Sequence, residues 1–177
     1  MSFLVVLRRL SSKRVLAFFT VLFILTIAAL PIIQESSDKE VSRSPDMSFF
    51  YTVEELYEMA ESYGAEGRRN YIIMRFTFDL VFPLIYGGFL ISALGWLYDV
   101  DGLLKWRNRV VLLPFSALLF DYLENISTAT VMWFYPTRVS SVGVLATFFT
   151  PIKWILLSCA FLALIPGLII RIRDRLM

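Results

Sequence analysis

Four stretches of the chain are apolar for long enough to cross a bilayer, which takes about 20 residues of helix. They cover residues 15–33, 72–98, 110–135 and 142–170. The first carries no charge. The second carries Arg75 and Asp79 near its start, the third Asp121 and Glu124, and the fourth only Lys153. Backbone in hydrocarbon must satisfy its own hydrogen bonds, so such runs form helices. The pattern predicts an all-α fold, a four-helix transmembrane bundle with a short extracytoplasmic amphipathic helix.

That last helix is read from the long 34–71 loop. Residues 34–50 are polar and turn-rich and read as irregular linker. Thr52 followed by Glu55 forms a capping box. Behind it, Val53, Leu56, Tyr57 and Ala60 share one face, while Glu54, Glu55, Glu58 and Glu61 fall largely elsewhere, which predicts a helix over about 53–63. Gly64 is its expected stop. Such a helix either shields the bundle or acts as a lid over a cavity.

Polar positions inside the spans are also periodic. On the third span Pro114, Ala117, Asp121, Glu124, Asn125, Thr128 and Met132 form one stripe, and Leu112, Phe115, Leu119, Phe120, Leu123 and Ile126 occupy the other faces. A polar seam turned inward with apolar faces toward lipid gives this pattern. At 100° per residue, Arg68, Arg75, Asp79 and Tyr86 fall within about 40° of one line on the second span, with Tyr71 to the side. Arg75 and Asp79 are spaced to pair directly. Gly88, Ser92 and Gly95 lie roughly opposite and read as a packing face for another helix or for a second copy in a homo-oligomer. Pro83, Pro114, Pro151 and Pro166 free backbone carbonyls and bend their helices. Trp96, Trp106, Trp133 and Tyr135, near span ends, read as interface anchors.

Counting residues from the span ends places Arg75, Asp79, Asp121, Glu124, Asn125 and Lys153 in one layer, between the bilayer centre and the outer boundary. Five isolated charges there would oppose insertion by about 12–17 kcal/mol. The cost falls only if they meet one another or water, so spans two, three and four are expected to converge on one buried charged network. Asp121 and Glu124 are its candidate ligand or proton acceptors, Asn125 an orienting group, and Asp79 the partner of Arg75 or Lys153. Arg68, Tyr71 and Tyr86 form its outer rim. The network serves as interhelical glue, or as a site for a proton, a cation or a polar lipid headgroup. The alternative is an intramembrane lipid- or isoprenoid-modifying enzyme using Asp121 and Glu124.

Composition narrows the classes further. Of 177 residues, 58% are hydrophobic and 18% charged, against about 25% charged in an ordinary soluble domain. The net charge of +2 is too small for a nucleic-acid binder. The chain has no histidine, which removes His-ligated metals and His-based nucleophile systems. Cys159, the single cysteine, lies deep in an apolar run and reads as unreactive. No metal and no cofactor is expected, and the expected partner is the lipid bilayer.

Basic residues orient the spans. Arg8, Arg9, Lys13, Arg14, Lys105, Arg107, Arg109, Arg171, Arg173 and Arg175, ten of seventeen Lys and Arg, fall on one side, which the positive-inside rule makes cytoplasmic. Residues 1–14, 99–109 and 171–177 then face the cytoplasm, and the 34–71 loop and the 136–141 turn face outward. A cleaved signal peptide is the rival reading of the first run, although nineteen apolar residues exceed the usual 7–15 or so. The bacterial cytoplasmic membrane is the expected location.

With Gly64-x-x-Gly67-Arg68-x-x-Tyr71, Asp79-x-x-x-Pro83-x-x-Tyr86-Gly87, Asp121-x-x-Glu124-Asn125 and Lys153-Trp154, the chain resembles a loose group of bacterial four-span membrane proteins of unassigned function. The likeness covers about residues 50–165. It implies a four-span fold with a charged layer, and no particular chemistry.

Overall fold

The apolar runs form helices, as their backbone requires. The computed structural model describes residues 3–37, 43–99 and 104–176, with no strand among them. The 38–42 part of the long loop and the 100–103 part of the expected 99–109 loop lie outside the described residues, as do the side chains of Arg8 and Glu35. The helices are α1 (Phe3–Leu10), α2 (Lys13–Ser37), α3 (Val53–Ser62), α4 (Gly64–Phe76), α5 (Phe78–Leu97), α6 (Leu104–Phe134), α7 (Ser140–Leu162) and α8 (Leu164–Leu176). Four helical segments are long and apolar enough to cross a membrane: Lys13–Pro31, Gly64–Leu97, Lys105–Phe134 and Ser140–Leu176.

These segments run past the apolar stretches because helix continues wherever nothing stops it. Gly64, at φ +61°, ends α3 and α4 starts at once, well before the apolar residues begin. The second segment breaks at Thr77, whose hydroxyl bonds back to the Ile73 carbonyl at 2.7 Å. The fourth breaks at Ala163, with Pro166 in the first turn of α8, and helix continues to Leu176.

The chain divides into two compact units. The first comprises Met1–Ile27, Leu84–Leu118 and Ile155–Met177. Here the small-residue face of α5 meets the start of the chain: a Cβ on Gly88 would strike the Phe19 ring, and one on Gly95 would strike Ser11. Phe23 stacks on Phe89 with 5.0 Å between centroids. Phe19 of α2 and Ser11 of the same chain therefore cover Gly88 and Gly95. At the other end of α5, Tyr98 donates to the Ala163 carbonyl (3.0 Å) and Arg171 to the Asp99 carbonyl (2.8 Å). Arg171 and Arg175 lie over the Trp96 ring at 5.0 and 5.7 Å.

The second unit comprises Ala28–Pro83 and Leu119–Trp154. Its α3 opens with both halves of the capping box: Glu55 N–H donates to Thr52 Oγ1 (3.2 Å), and Thr52 N–H donates to Glu55 Oε2 (2.7 Å). The buried face of α3 (Leu56, Tyr57, Met59, Ala60) packs with Tyr71, Val131, Met132 and Ala146. Burying Leu56 completely contributes about 2 kcal/mol. Val139 N–H donates to the Tyr57 hydroxyl at 2.7 Å, pinning the start of α7 to α3.

Candidate functional site

The seam of α6 is buried: Asp121 is 8% exposed, Asn125 4%, and Glu124 and Thr128 not at all. Helical spacing of 3, 4 and 7 puts these four side chains on one face. Leu112, Leu119 and Ile126, on the other faces, are more than half exposed. The second unit therefore presents a row of carboxylate, carboxylate and amide to whatever packs beside it.

What packs there is Lys153 of α7, 5% exposed. Its Nζ forms an ion pair with Glu124 Oε2 and reaches Asp121 Oδ1 at 3.8 Å. Asn125 Nδ2 donates to Asp121 Oδ1 (3.3 Å) and to the Asp79 backbone carbonyl (3.5 Å), and Asn125 Oδ1 accepts from Arg75 Nη1 (3.3 Å). Arg75 pairs with Asp79 at 3.1 Å, one helical turn on. The structure thus brings Arg75, Asp79, Asp121, Glu124, Asn125 and Lys153 into one connected chain of contacts. Asp79 is the partner of Arg75 rather than of Lys153.

Proline chemistry explains part of this geometry. Pro83 has no N–H, so the Asp79 carbonyl loses its helical donor. Asn125 supplies a replacement, and the Tyr122 hydroxyl donates to the neighbouring Leu80 carbonyl at 2.9 Å.

Three members were not legible in the sequence. Asp46, in the linker read as irregular, pairs with Arg75 from a 3-10 turn at Pro45–Met47. Tyr51, fully buried, places its hydroxyl 2.8 Å from Thr150 Oγ1, and Thr150 donates to Glu124 Oε1 at 2.8 Å. Burial, and behind it the negative charge of Glu124, holds the Tyr51 phenol above its ordinary range, so it stays protonated. An acid in a polar loop normally looks solvated, and no local pattern marked Asp46 as different.

Arg68 donates to the Ala60 carbonyl (2.8 Å) and covers the Tyr135 ring at 4.5 Å. Tyr71 is buried, with Arg75 over its ring at 4.5 Å. Tyr86 is buried, 3% exposed, and falls in the first unit.

A cleft of about 250 Å³ lies in the second unit, lined by Glu54, Tyr57, Glu58, Glu61, Tyr135, Pro136 and Arg138. Arg138 sits over the Tyr57 ring at 4.9 Å. Among the described residues, no three His, Cys, Asp or Glu converge as metal ligands.

Comparison with known protein families, curated proteins and solved structures finds no match to this chain. Among the described residues there are four helical segments long and apolar enough for a membrane and a set of buried charges, and the chemistry has to be read from that set.

Proposed function

We propose that this is a four-span protein of a bacterial cytoplasmic membrane whose buried network binds a proton. The distribution of Lys and Arg supports cytoplasmic termini and puts α3 and its cleft on the extracytoplasmic side. Crossings at 15–33, 72–98, 110–135 and 142–170 suit that orientation.

The observation that carries the reading is a charge count. Four carboxylates (Asp46, Asp79, Asp121, Glu124) are linked to two bases (Arg75, Lys153), so the fully ionised set has a net charge of −2. Uncompensated charge away from water is expensive, and a buried group neutralises instead. A proton or a monovalent cation relieves the excess. The carboxylates are spread along the chain of contacts with a base or an amide between neighbours, which suits a proton better than a hard divalent ion needing converged oxygens. An anionic lipid headgroup is disfavoured, because Arg75 already lies between Asp46 and Asp79. The acidic cleft raises the local cation concentration on that side. The enzyme alternative gains no support, since Asp121 and Glu124 both engage the same lysine.

The experiment is infrared difference spectroscopy of the reconstituted protein between acid and neutral pH. A protonated-carboxyl band that titrates in the wild type and is lost in Glu124→Gln is expected. Absence of any titrating buried carboxyl overturns the reading and leaves interhelical glue.

A further inference from the structure

We propose that the Thr150 hydroxyl is a two-position switch that passes the protonation state of Glu124, through Tyr51, to the 43–62 segment. The inference rests on the proton-binding reading above and adds to it the element that senses the proton.

Thr150 has one hydroxyl proton and three oxygens in reach: Glu124 Oε1 at 2.8 Å, the Ala146 carbonyl at 3.0 Å and the Tyr51 hydroxyl at 2.8 Å. All three side chains are fully buried, so water does not mask the choice. Only one donation is available at a time. With Glu124 ionised, Tyr51 donates to Thr150 and Thr150 donates to the carboxylate. That chain ends on a charge, and each bond polarises the next. Lys153 occupies Oε2 as a donor, which leaves Oε1 to receive a proton. Once Oε1 is protonated it becomes a donor, and Thr150 must turn its own proton to Ala146. The Tyr51 bond then loses its charge-assisted end.

Tyr51 lies two residues before α3, next to the capping residue Thr52, so the strength of this bond bears on how firmly the segment is held. The same segment is tied a second time by Asp46 to Arg75. The groups facing Glu124 are Lys153 and Thr150 from α7, Tyr51 and Asp46 from the segment, and Tyr71 and Arg75 from α4. Asp121, on its own helix, shares Lys153.

Hydrogen exchange of the full chain in lipid nanodiscs, over a pH series and corrected for intrinsic exchange, reads the switch; the infrared band reads Glu124 in parallel. Amides of 51–62 are expected to exchange about tenfold faster once Glu124 is protonated, the scale of one hydrogen bond to a charged group. Glu124→Gln should exchange fast at every pH. Thr150→Val and Tyr51→Phe should abolish the pH step, and Thr150→Ser should restore it. A Glu55→Gln background, which keeps a capping box, removes that box's own acid response. If Glu124 titrates and Thr150→Val still shows the step, the switch is wrong and the proton site stands. If Glu124 does not titrate, the switch falls, and if no buried carboxyl titrates, the proton site falls with it.

Discussion

The side-chain amide of Asn125 donates to the Asp79 backbone carbonyl at 3.5 Å, the carbonyl that Pro83 leaves without a helical donor. One residue thus repairs a proline defect in α5 while bridging Arg75 to Asp121. Asn125→Ala should destabilise the protein by about 1–3 kcal/mol, the cost of buried groups left unpaired. Thermal unfolding in detergent checks it.

Lys153 neutralises Glu124 in a fully buried setting. Lys153→Met should cost about 3–5 kcal/mol, because it strands a buried carboxylate. Adding Glu124→Gln should recover part of that loss. A double-mutant cycle on unfolding free energies measures the coupling; additive effects would remove the pair from the account.

Asp46 is the only acid of the described 43–51 stretch, and it is held by Arg75. Asp46→Asn should raise hydrogen exchange in 43–50 and leave α5 and α7 protected. Unchanged exchange would mean that the Asp46–Arg75 pair does not hold the segment.

Gly88 lies against Phe19 of the same chain. Gly88→Ala should therefore destabilise the monomer by about 1–3 kcal/mol through overpacking, without changing the mass of the particle. Light scattering with a thermal melt separates this from loss of an oligomer.

Glu55 is held below the ordinary carboxylate range, first by the Thr52 N–H and then by Arg43. Its folded form gives up a proton more readily than the unfolded chain does. The capping contribution is therefore complete above the unfolded Glu value and lost as pH falls through the lower folded one. Amides opening α3 should exchange faster as pH falls below the ordinary carboxylate range, and Glu55→Gln should flatten that response.

The sequence alone carried the helices and the inward seam. Length and apolarity fix a helix in hydrocarbon, and spacing of 3, 4 and 7 fixes which side chains share a face, so Asp121, Glu124, Asn125 and Thr128 could be placed together from their numbers. Both are local properties. The tertiary structure decided what no local pattern encodes. Asp46 reaches Arg75 across 29 positions, and Tyr51 reaches Thr150 across 99. Partner choice between remote segments depends on which surfaces the loops bring together, and that is settled by packing.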